Sequence, residues 1–250
     1  MPIWIPLLLA APFIGSFLGV VVTREADFTS IARGRSRCDS CGVTLAARDL
    51  IPIASFLALG GRCRVCKARI SLFYPAIELA AVVPVAWAAP VQHGPIIIAS
   101  AVYGWMLIAL SWIDWRSFRL PDVLTLPLLG LGLAFAAAFD SARWLDHAIG
   151  ALAALFAFTG LALLYRLLRG REGLGFGDAK LAGAIGAFVG WQAIPVTLLL
   201  SALFGLVFFI LRALLEGRWS RDARIPFGPF LAAAGWITWL YGPLLPGFTR

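Results

Sequence analysis

The sequence predicts an all-α polytopic membrane protein of about eight transmembrane helices, with a zinc-ribbon-like tetracysteine loop on the cytoplasmic side. Three observations carry that expectation. Of 250 residues, 61% are hydrophobic and 14% charged, about half the charged share of an ordinary soluble domain. Apolar runs of about twenty residues recur, the length that crosses a bilayer core as a helix. All four cysteines fall in one polar loop, as two Cys-x-x-Cys pairs.

The spans are expected at 2–22, 73–90, 95–113, 121–139, 144–168, 179–192, 194–215 and 226–246. The first, "MPIWIPLLLAAPFIGSFLGVVV", has no positive leading region and is long enough to span, so it reads as a membrane helix rather than a cleavable signal. The sixth, "LAGAIGAFVGW", is short and glycine-rich. It needs burial among neighbours, and its small side chains permit close approach. Pro84, Pro127 and Pro195 lie inside or at the start of spans, where neighbouring helices re-satisfy the freed carbonyls. The chain therefore divides into a first transmembrane helix (1–22), a cytoplasmic metal-binding domain (23–72) and a seven-helix membrane-embedded domain (73–250).

A formal charge of +8 raises nucleic acid as a partner, but the basic residues cluster between apolar segments, which is how topology is encoded. With the amino terminus outside the cytoplasm, nineteen of the 21 lysines and arginines fall on the cytoplasmic side. Nine lie in loop 23–72. Arg116 and Arg119 follow span three, Arg166, Arg169, Arg171 and Lys180 separate spans five and six, and Arg212, Arg218, Arg221 and Arg224 precede span eight. Only Arg143 and Arg250 lie opposite. Both termini are thus expected outside, the lipid bilayer is the expected partner, and no nucleic acid is expected.

The cysteine pairs are Cys38/Cys41 and Cys63/Cys66, inside the similar segments "RCDSCGVTL" and "RCRVCKARI". Two matched turns with paired thiols suit one tetrahedral four-sulfur Zn²⁺ site, whose sulfurs sit about 2.3 Å from the metal. Disulfides are the alternative, disfavoured in a reducing cytoplasm; free redox cysteines are a third. Four thiolates leave no open coordination position, so the metal is expected to be structural.

Of 13 acidic residues, nine read as solvated charge: Glu25, Asp27, Asp39, Asp49, Glu172, Glu216 and Asp222 in cytoplasmic loops, Asp140 and Asp146 at the outer face. Four sit in or at the edge of spans: Glu78, Asp114, Asp122 and Asp178. A carboxylate at mid-membrane costs about 2.5–3.5 kcal/mol, so such residues are functional candidates. Asp114 and Asp178 are expected at one cytoplasmic depth. Two carboxylates sharing a site do not both ionise easily, so one keeps a proton while the other polarises water. Gly175 and Gly177 leave room for a substrate strand beside Asp178. Spacing alone leaves catalysis and capping of span six open for Asp178.

In order along the chain, "GSFLGVVVTR" (15–24), "LIPIASFLALGGRCRVC" (50–66), "ISLFYPAIEL" (70–79), "IDWRSFRLPDVLTLP" (113–127), "GFGDAKLAGAIGAFVGW" (175–191) and "IPFGPFLA" (225–232) together resemble the type IV prepilin peptidases, aspartic proteases of the GxGD kind in the bacterial inner membrane. The resemblance implies a catalytic dyad of Asp114 and Asp178, cleavage of the basic leader from prepilin or pseudopilin substrates, and methylation of the new amino terminus with S-adenosylmethionine. It departs at Gly19, where the family often has asparagine. Asp122 falls in the "LPD" element and reads as a helix-start cap for span four, with an auxiliary part in catalysis as the alternative. Glu78, in "YPAIE", either braces the cysteine loop, pairs with an arginine or serves methyl transfer. Lys180 either holds a nearby carboxylate charged or snorkels to the interface. A proton- or cation-coupled transporter predicts inverted repeats and mid-membrane polar groups, and the spans show no such repeat. A pure methyltransferase would leave the aspartates idle.

Overall fold

The computed structural model describes residues 2–25, 28–29, 31, 34–170, 175–216 and 225–242. Arg33, Arg171, Arg218, Arg221, Arg224, Arg250, Asp27, Glu172, Asp222 and the end of the eighth expected span, 243–246, lie outside them. Among the described residues the structure is helical, with isolated bridges only in the cysteine loop. The chain divides into two compact units, Met1–Ala109 and Leu110–Arg250.

In the N-terminal unit, α1 (Trp4–Thr23) precedes the cysteine loop, which holds the short α2 (Ala54–Ala58). Two short helices follow, α3 (Phe73–Ala80) and α4 (Val82–Ala88). A Cβ on Gly15 of α1 would lie 2.6 Å from Glu78 Cα and 2.8 Å from Ile77 O of α3, so these helices touch backbone to backbone. Pro84 lacks the N–H that would bond Ala80, and the helix parts at Ala81. The Trp105 indole N–H donates to the Ala81 carbonyl at 2.8 Å, a neighbouring helix satisfying backbone loosened by proline.

The unit boundary falls within α5 (Ile96–Ser117). In the C-terminal unit, the end of α5 is followed by α6 (Asp122–Phe139), α7 (Trp144–Arg169), α8 (Phe176–Val189), α9 (Ile194–Glu216) and α10 (Gly228–Tyr241). Helix α8 is the core of this unit: Ala179 and every residue from Leu181 to Phe188 are buried. Its glycines permit this. A Cβ on Gly132 of α6 would lie 2.7 Å from the Phe188 ring, and one on Gly150 of α7 would lie 2.7 Å from the Gly186 carbonyl. Phe188 also packs edge-on against Trp239 of α10, centroids 5.5 Å apart.

Among the described residues, five helices are long and apolar enough to cross a membrane: Trp4–Thr23, Ile96–Ser117, Asp122–Phe139, Ser141–Leu168 and Trp191–Glu216. Phe73–Ala88, α8 and α10 are shorter apolar helices over the three remaining expected spans. Along α9, Leu199, Leu203, Leu206, Leu211 and Leu215 are exposed, the pattern of a helix solvated by lipid. Two ends differ from expectation. Helix α5 continues four residues beyond 113, to Ser117, placing Asp114 inside its last turn, and α8 begins at Phe176 rather than 179. Hydropathy marks where lipid ends; the backbone stays helical past that point because its hydrogen bonds are internal.

Candidate active site

Asp114 lies on the last turn of α5 and is 5% exposed. Its Oδ2 accepts a hydrogen bond from the main-chain N–H of Gly228, the first residue of α10, at 2.8 Å. Asp178 is the third residue of α8, and its Oδ2 accepts from the Gly175 N–H at 3.1 Å. Its carboxyl is within electrostatic reach of Asp114. Both expected aspartates therefore lie in the C-terminal unit, near enough for the charge of one to act on the other, each held by a glycine amide at a helix start. The Asp178–Gly175 bond is also a cap, so capping and proximity to Asp114 coexist in one side chain. The chain turns between α5 and α6 through Phe118 at φ +54°, and Leu120 is then laid against Gly177. A Cβ there would lie 2.9 Å from that of Leu120.

Lys180 Nζ and Asp122 Oδ1 form an ion pair at 2.6 Å, with side chains 34% and 55% exposed. Asp122 makes no side-chain cap at the start of α6, which corrects the cap expected for it. The reason is local. As first residue of the helix, with Pro121 before it, Asp122 lacks the extended geometry that turns a capping oxygen back onto the N–H groups, and Lys180 takes the carboxylate. Phe176 is largely exposed beside Gly175.

In the N-terminal unit Glu78 is 7% exposed and accepts from the Ile53 N–H at 2.7 Å. Ile53 is held at φ +60°, a region that β-branched residues avoid. Through this contact α3 reaches the cysteine loop at its left-handed turn.

The four thiols converge, with all Sγ atoms within 4.8 Å of one another, and none is in a disulfide. Cys38 and Cys66 Sγ are 3.8 Å apart, the edge of about 3.8 Å that a tetrahedron with metal–sulfur bonds of about 2.3 Å requires. The two turns match atom for atom in their backbone bonds. Cys38 N–H donates to Val43 O at 2.9 Å and Cys63 N–H to Ala68 O at 2.8 Å, and a bridge closes each turn, Arg37 with Thr44 and Arg62 with Arg69. The residue after each second cysteine is left-handed, Gly42 at φ +69° and Lys67 at φ +60°. Amide N–H groups of Cys41 and Ser40 hold the Cys38 thiol down to about 7, while at Cys66 the Ala68 amide is outweighed by burial and the three other sulfurs, which push that thiol up to about 11. Arg64 clamps Asp49 at 2.7 Å and holds its carboxyl below the usual range, tying the second turn to the short helix Ala47–Leu50. The set fits a structural metal ion.

The sequence reading did not assign roles to Gly228, Leu120 and Ile53. Gly228 had a visible signal, a glycine between Pro226 and Pro229 at a span start, whereas the contact of Leu120 with Gly177 has no local signature.

The family model described as the type IV leader peptidase family matches residues 101–210, and that of the bacterial peptidase A24 N-terminal domain matches residues 9–91. A prepilin leader peptidase/N-methyltransferase of Aeromonas salmonicida is 40% identical over 255 residues, covering 92% of this chain and 87% of the relative. Its counterpart in Pseudomonas aeruginosa is 39% identical over 258 residues, with the same coverage. That of Stutzerimonas stutzeri is 37% identical over 262 residues, again covering 92% and 87%. No solved structure matches the chain. With motifs in order over both matched regions and identity near 40% along most of its length, the chain belongs to the prepilin leader peptidase family.

Proposed function

We propose that this protein is a membrane aspartic endopeptidase that removes the basic leader from prepilins or pseudopilins and methylates the exposed amino terminus, with Asp114 and Asp178 as its catalytic dyad. The reading is supported by the placement of both carboxyls in one unit, within electrostatic reach of each other and each anchored by a glycine amide. One aspartate, ionised, takes a proton from water as its oxygen attacks the scissile carbonyl carbon. The other, protonated, donates to the carbonyl oxygen. As the C–N bond breaks, the leaving amine takes a proton from the pair. The proton belongs to the pair rather than to either residue.

Nineteen cytoplasmic-side basic residues against two support eight crossings with both termini outside and the dyad and cysteine loop at the cytoplasmic face. A leader's positive charges stay there while its apolar helix stays in lipid, so the bond to be cut lies at the interface. The division into helix 1–22, metal domain 23–72 and membrane domain 73–250 is part of the same reading. Cys38, Cys41, Cys63 and Cys66 would hold Zn²⁺, which supplies rigidity and no chemistry of cleavage. S-adenosylmethionine, implied by the relatives' name, would supply the methyl group. Glu78, a buried carboxylate of the N-terminal unit, is engaged with Ile53. Lys180 and Asp122 neutralise each other, and Gly175 and Gly177 give Asp178 its turn and its clearance.

The test is cleavage of a prepilin in membranes bearing wild type, Asp114→Asn or Asp178→Asn, with protein level and zinc content matched. Both substitutions abolish cleavage on this reading; normal cutting by both would overturn it.

A further inference from the structure

The structure brings to Asp114 a group that belongs to neither aspartate. Helix starts leave N–H groups without intrahelical partners, and at α10 these are few. Pro229 has no N–H, and the N–H groups of Phe230 and Leu231 both donate to Phe227 O at 3.1 Å. The Gly228 N–H remains, and it donates to Asp114 Oδ2 at 2.8 Å in a buried bond. Residue 228 must also be small: a Cβ there would lie 2.7 Å from Asp114 Oδ2, 3.1 Å from its Cγ and 3.3 Å from its Cβ. The carboxylate occupies the space a side chain would need. Glycine is therefore required here for close approach rather than for backbone freedom.

We propose that the Gly228 amide is a positioning group of the peptidase, holding Asp114 Oδ2 as an acceptor and favouring Oδ1 as the place for any proton on Asp114. The inference rests on the dyad reading above. An amide N–H can only donate, and an unprotonated carboxyl oxygen accepts from it more strongly than a protonated one, so the bond biases a proton toward Oδ1. A buried donor left without an acceptor is costly, so Oδ2 stays committed. Asp178 repeats the arrangement through Gly175, but that bond is exposed at 3.1 Å, whereas the Gly228 bond is buried. Asp114 is thus the fixed member, and its Oδ1 is the oxygen left open for proton exchange. Misplacing a reacting group by about 1 Å costs about a hundredfold in rate, which sets the scale for moving this carboxyl.

The full-length protein in detergent or nanodiscs is assayed on a synthetic prepilin peptide as wild type, Gly228→Ala, Gly205→Ala and Asp114→Asn. Gly205 is a control in the same unit, where a Cβ meets only Phe230 at 3.6 Å. Gly228→Ala is expected to lower kcat by about tenfold to a hundredfold, leave KM within about threefold and shift the pH profile of kcat, while Gly205→Ala matches wild type. Should Gly228→Ala fail to accumulate, glycolic acid at 228, installed by cell-free translation, replaces the N–H with oxygen and adds no atom; the same kcat loss is expected. Wild-type kcat and pH profile in these variants, with Asp114→Asn inactive, would overturn the role of Gly228 alone. A loss confined to thermal stability or KM would do the same. Cutting by Asp114→Asn would remove the dyad reading and this inference with it.

Discussion

Asp178 shows how one residue can carry two signals that the sequence cannot separate. A carboxylate three residues into a helix is what a cap looks like, and Oδ2 does accept from the Gly175 amide at 3.1 Å. Only the arrival of Asp114 from α5, far away in sequence, distinguishes a working carboxyl from a cap. At Asp122 the failure runs the other way, because Lys180 claims the carboxylate at 2.6 Å and no local rule announces a partner on another helix. Glycine positions can be read more sharply. Gly42 is left-handed at φ +69°, with nothing within 4 Å of an added Cβ, so an alanine there meets backbone strain alone, about 1–2 kcal/mol. Gly42→Ala should weaken metal retention by about tenfold, measured by competition with a chromogenic chelator. Unchanged retention would mean that the turn reshapes without cost.

At the scale of elements, the cysteine turns and α8 were the most legible. The repeat of "RCDSCGVTL" in "RCRVCKARI" became a repeat of hydrogen bonds, because turn geometry is set by a few adjacent residues. For α8, a helix too short and glycine-rich to face lipid had to be buried, and it is. Boundaries were less legible, as at Ser117, because helical backbone persists after hydrophobicity ends. Among the described residues, the thiols hold the two turns of the loop together, aided by the Arg64–Asp49 clamp, the Glu78–Ile53 contact and exposed bonds from Arg24 and Tyr74. Removing the metal with a strong chelator is therefore expected to open residues 35–70 to limited proteolysis while the membrane helices stay protected, and zinc should restore protection. A loop equally resistant with and without metal would contradict a structural role for it.

For the molecule as a whole, the class came from a bulk property, hydropathy, which does not depend on which side chains meet; that is why it was readable and the site's detail was not. The expected orientation rests on another bulk property, the lopsided placement of lysine and arginine. A periplasmic alkaline phosphatase reporter placed after Ser141 should be active, and one after Arg119 inactive; the reverse would invert the topology and remove the dyad from the leader's side of the membrane. The central claim is that Asp114 and Asp178 act as one unit, and the most direct measurement is the single-turnover cleavage rate of Asp114→Asn, Asp178→Asn and the double variant. Groups that act together are strongly non-additive, so the account predicts that all three fall to one residual rate. Single variants that each retain substantial activity, with losses multiplying in the double variant, would show two independent contributions and contradict it.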